Sequence, residues 1–433
     1  MKISQLINIS LFLILPQFMF AQIIPGAKQS KAVLITGATA HIGNGKVVEK
    51  ASILFEDGVV KKIGKELVIT EVASSYDKID ATGKHVYPGF IAMNTRLGLV
   101  DIDAVRATRD FREVGGMNPH VRALIAYNTD SKILPTVRTN GVMMAQICPE
   151  GNGISGQSSL MALDGWNWQD AVITADQGIH LSWPRDYRRT GWWAEPGGIK
   201  RNVKYGEQVE KIESYLVEAK AYAKDNPKTK DLRMEAMKGL FDKTKKLYVQ
   251  TNGAKTIEAA VLMAQRIDVE IVIVGGNDAW QVVDFLKSYN VPVVLNPPQS
   301  LPNHTDAHID QPFKTAGMLA SAGVTVAIAQ GESWQNFNLP FQTGQAVAFG
   351  MDKEAAIQAI TLNPAKIMGV DKMHGSLEPG KSATLFICDG DALDMRTNNL
   401  TKAWINGREV DLDNHHKILA RKYNAKYEQL KSE

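Results

Sequence analysis

Cysteine is nearly absent: two in 433 residues. So few exclude a disulfide-framework fold and a Cys-rich zinc module. Cys148 and Cys388 each follow an apolar, strand-like run, Val142 to Ile147 and Leu385 to Ile387, so two buried thiols are expected, with a disulfide permitted but not fixed by the sequence. A strong charge of either sign is also missing. The 49 Lys and Arg against 46 Asp and Glu leave a net charge of +3, with the signs interspersed, which excludes a nucleic-acid or acidic-membrane surface. Past the N-terminus no apolar run is long enough to span a bilayer. No dinucleotide fingerprint exists, because Gly37, Gly43 and Gly45 have the wrong spacing and strands follow them. No Gly-x-Ser-x-Gly is present, so Ser155, Ser158 and Ser159 are expected to hold a loop through backbone hydrogen bonds.

What is there begins with Met1 to Ala21, read as a signal peptide. Lys2 gives a positive start, and Leu11 to Leu15 and Phe18 to Ala21 are apolar. Pro16 and Gln17 interrupt the run, which argues against a membrane anchor. Export is expected, to the periplasm or beyond, with cleavage near Ala21.

Residues 22–87 alternate apolar and polar residues with glycine turns, as in Ala51-Ser52-Ile53-Leu54-Phe55 before Glu56-Asp57-Gly58, and read as the first part of a β-sandwich. Residues 88–370 alternate buried strands with helices, the pattern of an α/β fold and of a (β/α)8 TIM-type barrel. Strands are expected at Val142 to Ile147, Leu247 to Gln250, Ile271 to Val274, Val291 to Leu295 and Val324 to Ala329. Helices are expected at Thr256 to Arg266, Ala279 to Ser288 and Lys353 to Thr361, the last capped by Asp352. Val203 to Lys246 reads as two helices broken at Asp225-Asn226-Pro227, with Val209, Ile212, Leu216 and Ala219 as the buried stripe. Residues 371–412 return to β character, and 413–433 end in a helix with Leu419, Tyr423, Tyr427 and Leu430 on one face.

Three stretches carry a family resemblance: Pro88-Gly89-Phe90-Ile91 through Arg96, Thr361-Leu362-Asn363-Pro364-Ala365-Lys366, and Gly375 to Leu385. They resemble the amidohydrolase superfamily, and its imidazolonepropionase-type branch most, as do Ile154 to Ser159 and Leu163-Asp164-Gly165-Trp166. The resemblance implies the TIM-type barrel, a small composite β-sandwich domain built from both chain ends, and hydrolysis of non-peptide C–N bonds. It also implies zinc or another divalent metal, held first by a His-x-His whose side chains share one face of a strand.

Here the matching places hold Asn94 and Arg96, after Ala92. A guanidinium has no lone pair to give. About 4 Å from a dication, at an effective dielectric of about 20, it is repelled by about 8 kcal/mol. At the later ligand places stand Gln250, Thr251 and Asn252, then Gly275 and Gly276, then Gln330-Gly331-Glu332. No metal or other cofactor is therefore expected.

The expected function is an exported pseudoenzyme, binding protein or accessory subunit. The alternative is an active amidohydrolase on a cyclic amide or related small substrate, with Glu332 as base and Asn94 and Arg96 stabilising an oxyanion. The expected binding residues at the barrel mouth are Asn94, Arg96, Gln250, Asn252, Asn277 and Gln330. Expected partners are a small-molecule ligand and further subunits, as a homo-oligomer or with an active paralogue. His304 and His308, with Asp306 and Asp310, would chelate a metal only if helical; a polar loop is the simpler expectation. Trp166, Trp168, Trp183, Trp192 and Trp193 are expected to pack barrel-top loops together, and Arg185, Arg188 and Arg189 among them to be solvated or to meet an anion.

Overall fold

The computed structural model describes residues 24–65, 67 and 76–431. The expected signal segment lies outside the described residues. The first strands are β1 (Ala32–His41), β2 (Val47–Glu56), β3 (Val59–Lys65), β4 (Tyr76–Asp80) and β5 (His85–Pro88). Hydrogen bonding joins them to β16 (Leu385–Cys388), β17 (Leu400–Ile405) and β18 (Arg408–Glu409) in one 8-stranded sheet that draws on both ends of the chain. Period-2 alternation sorts its two faces. Val33 and Ile35 pair with Phe55 and Ile53 and enter a core with Trp404, while Ala32 and Leu34 pack with Leu54 on the other side.

Between these halves runs a second 8-stranded sheet, the barrel: β6 (Phe90–Thr95), β7 (Val142–Ile147), β8 (Gly153–Ala162), β9 (Val172–Ser182), β12 (Lys246–Thr251), β13 (Ile271–Gly275), β14 (Val293–Leu295) and β15 (Val326–Ile328). Ile91, Met93, Met144, Leu160, Tyr248, Val272, Val294 and Ala327 fill its interior. The helix Leu362–Met368 closes the floor with Ala365, Ile367 and Met368. Around the rim, the Arg96 N–H reaches the Gly331 carbonyl (3.3 Å) and brings the first and last strands together.

Seven strands are parallel, and β8 runs antiparallel to both neighbours. The link from β7 to β8, residues 148–152, is too short for a crossover helix, so the chain turns back as a hairpin. This corrects the loop expected around Ser155, Ser158 and Ser159, all three of which are buried in β8.

The broken helix pair forms as expected. The first helix, Tyr205–Asp225, ends at Asn226 with φ +43°; the second, Leu232–Phe241, is capped by Asp231. Asp352 caps Lys353–Ala359 by accepting the Ala355 N–H. Cys148 and Cys388 are buried free thiols. No helix among the described residues is long and apolar enough to cross a membrane.

The tryptophan expectation fails in part. Trp183 is buried, with its indole N–H on the Tyr205 hydroxyl (3.0 Å), but Trp166, Trp192 and Trp193 are exposed. The last two follow β10 (Tyr187–Gly191), which among the described residues pairs only with β11 (Pro196–Arg201). This two-stranded ribbon offers no second layer to bury them.

Candidate binding site at the barrel mouth

At the C-terminal ends of the barrel strands lies a cavity of about 370 Å³, lined among others by Asn94, Arg96, Glu150, His180, Gln250, Asn296 and Glu332. The structure thus brings together four expected residues: Asn94, Arg96, Gln250 and Glu332. Strict alternation would turn Asn94 away, because Met93 faces the barrel core. A register shift between Ala92 and Thr95, with φ +49° at Asn94, re-aims it into the cavity. Asparagine tolerates this left-handed conformation better than most residues.

Arg96 sits at the centre. Its guanidinium stacks on Phe111, 4.6 Å from the ring centroid, and its Nε lies 3.2 Å from Glu150 Oε1. Nη2 is 3.8 Å from Glu332 Oε1. The Nε contact lacks hydrogen-bond alignment and is a charge contact only. Both carboxylates of the cavity therefore face a fixed cation.

Beneath the mouth lies a neutral hydrogen-bonded layer. The Asn94 N–H donates to Gln146 Oε1 (3.2 Å). Gln146 and Gln177 each donate to the Ser158 hydroxyl, at 3.3 and 3.0 Å, and the Tyr248 hydroxyl donates to Gln177 Oε1 (3.0 Å). Burial pushes the Tyr248 phenol far above its usual range. Ser155, Ser158 and Ser159 are spent on such bonds: Ser155 donates to the Pro149 and His180 carbonyls, and Ser159 accepts the Asp176 N–H.

His180 stacks on Tyr248 at 4.9 Å with its Nε2 unpaired. Burial alone lowers its pKa from 6.5 to about 3, so the ring stays neutral. Sequence reading missed His180; the available signal was a lone histidine between Ile179 and Leu181. It also missed Asn296, whose amide donates to Asn252 Oδ1 (3.2 Å) and Asn277 Oδ1 (2.8 Å).

Three expected mouth residues go elsewhere. Asn252 and Asn277 border an adjoining, larger cleft. Gln330 does not line the mouth cavity: the turn at Gly331, φ +77°, presents Glu332 instead and leaves Gln330 Oε1 buried without a partner. Gly275 holds φ +96°, and a Cβ there would stand 2.5 Å from Asn252 Oδ1. A histidine at the end of β13 would have to adopt this strained backbone conformation and displace the Asn252 side chain.

The donor set does not fit a divalent ion. Arg96 projects a cation into the cavity, Glu150 and Glu332 lie against it, and His180 is a single imidazole. Among the described residues no group of three or more His, Cys, Asp or Glu converges. His304 and His308 do not rescue one: residues 303–310 form no helix, the next helix starting at Gln311, and His304 pairs with Asp278 (2.7 Å) while His308 lies near Asp310 (3.5 Å).

Residues 309–410 match the amidohydrolase family model. The match covers about a quarter of the chain, so it is a likeness of that part to the family. An imidazolonepropionase of Picrophilus torridus is 36% identical over 86 residues, 19% of this chain and 22% of that protein, so the chain matches only about a fifth of that relative's length. Among solved structures, an amidohydrolase from Thermotoga maritima superposes with TM-score 0.76 at 23% identity, covering 88% of this chain and 99% of its own. A Xaa-Pro dipeptidase with bound methionine gives 0.55 at 15%, over 88% and 100% of the two chains. A zinc-bound adenosine deaminase from Xanthomonas campestris gives 0.52 at 14%, over 92% and 98%. At these identities the structural likeness is one of fold.

Proposed function

We propose that this protein is an exported superfamily member that has given up its metal and uses the barrel mouth to bind a ligand, as a pseudoenzyme or as an accessory subunit beside an active copy. One observation carries the reading: the Arg96 guanidinium, stacked on Phe111 and facing Glu150 and Glu332, stands where the resemblance puts a metal ligand. Restoring an ion there would set it against a fixed positive charge, at about 8 kcal/mol for about 4 Å and an effective dielectric of about 20. The carboxylates that could offset that charge, Glu150 and Glu332, are already set against Arg96, and the neutral Gln146–Ser158–Gln177–Tyr248 layer below adds no ionised group.

The test is metal content by mass spectrometry, together with turnover of dihydropyrimidines, imidazolones and N-acyl dipeptides after incubation with zinc or manganese. Sub-stoichiometric metal and no turnover are expected. One ion per chain with measurable turnover refutes the reading. N-terminal sequencing of protein recovered from the cell envelope is expected to start at Gln22, and native mass spectrometry reads the subunit count.

One contact favours a second reading. Glu332 approaches Arg96 Nη2 over the cavity, which would let the carboxylate act as a base beside a fixed cation. Loss of a measured turnover in Glu332→Ala would establish it over the first.

A further inference from the structure

Beside the mouth, and sharing Ser182 and Gln250 with it, opens a cleft of about 1720 Å³. Its walls carry Arg185, Arg188, Lys211, Arg233 and Lys255, all exposed. None of the five is in an ion pair among the described residues. The lining holds two acids, Asp186 and Asp278, against these five cations. Asp278 is buried and accepts from His304 (2.7 Å) and Asn303 (3.0 Å), while Asp186 accepts the Tyr187 N–H. Like charges around one concave space repel each other, and the concavity focuses their field on whatever enters. An anionic occupant turns that cost into attraction.

We propose that this cleft binds an acidic peptide, which deepens the binding reading above and rests on it. Three features favour a peptide. The cleft exceeds the roughly 300–1,000 Å³ of a small-molecule pocket. Three of its cations are arginines, whose planar forks match carboxylates in bidentate geometry. Asn152, Asn252, Asn277 and Gln281 add amides suited to peptide N–H and C=O groups, and exposed Ile199 and Leu301 add apolar contact. The exposed Trp192 and Trp193, which would stack on a sugar, are not among its lining residues.

The experiment is fluorescence anisotropy on the full chain with fluorescein-labelled hexaglutamate, against a heparin hexasaccharide and inorganic phosphate as competitors. Saturable binding is expected, weakened about tenfold or more by the triple charge reversal Arg185→Glu, Arg188→Glu, Arg233→Glu, and likewise by the pair Lys211→Glu, Lys255→Glu. The pair Lys422→Glu, Lys426→Glu, exposed on the helix His415–Lys431 and outside the cleft lining, should change it less than twofold. Absence of saturable binding, indifference to both sets of reversals, or tighter binding of the hexasaccharide overturns the proposal. The two readings fail separately. A bound peptide that is also cleaved, seen by mass spectrometry, supports the cleft and refutes loss of catalysis. Failure to bind by a metal-free, inert protein refutes the cleft alone.

Discussion

Replacing His180 by Phe should make the protein more resistant to acid. The ring is enclosed between barrel strands, stacks on Tyr248 and has an unpaired Nε2, so only its neutral form fits. Burial lowers its pKa from 6.5 to about 3. Below pH 6.5 the unfolded chain takes up a proton that the folded chain refuses, so stability rises with pH between about 3 and 6.5 and falls on acidification. At about 1.4 kcal/mol per unit, the folded state loses about 3 kcal/mol from this one group on going from pH 7.5 to 4.5. Phenylalanine keeps the ring contact and has no proton to bind.

The assay is urea unfolding at both pH values, for wild type and His180→Phe. The variant should lose about 3 kcal/mol less than wild type over that interval. His374 is the internal comparison: burial, and then the nearby Lys381, lower its pKa to about 4, so His374→Phe should give an effect of the same sign and nearly the same size over this interval, the two separating only below about pH 4. A His180 ring resonance that titrates near pH 6.5, or equal acid sensitivity of variant and wild type, would refute the reasoning.

Two further outcomes follow from the packing. Asp164 lies 2.7 Å from Arg138, both almost fully buried, and also accepts the Gly26 N–H (2.9 Å) and approaches Arg408 (3.8 Å). Asp164→Ala leaves an unpaired buried guanidinium and should cost about 3–5 kcal/mol, read by thermal denaturation. Gly275→Ala meets both a positive φ and the Asn252 oxygen, so it should destabilise by more than 1 kcal/mol or so and disturb the Asn252–Asn296–Asn277 contacts, read by denaturation and by amide chemical shifts.

The sequence by itself determined the class of fold and which residue types stand at the places the resemblance marks. Hydrophobic period and turn residues are local properties, so the barrel strands Val142–Ile147 and Ile271–Gly275 and the Asp352 cap could be read directly. So could Asn94 and Arg96 at the mouth, because a chemical type survives at its place in a motif.

Tertiary structure decided the rest. Whether β8 is a loop or an antiparallel strand depends on its pairing with both β7 and β9, a non-local choice that burial made for Ser155, Ser158 and Ser159. The direction of Asn94 turned on a single backbone bulge, and the choice of Glu332 over Gln330 on the turn at Gly331. His180 entered the site from a strand that no motif marks. Asp164, legible as part of Leu163-Asp164-Gly165-Trp166, gained its role only when Arg138, Arg408 and Gly26 arrived from distant parts of the chain. Side-chain type is written in one dimension; the company it keeps is set by long-range packing.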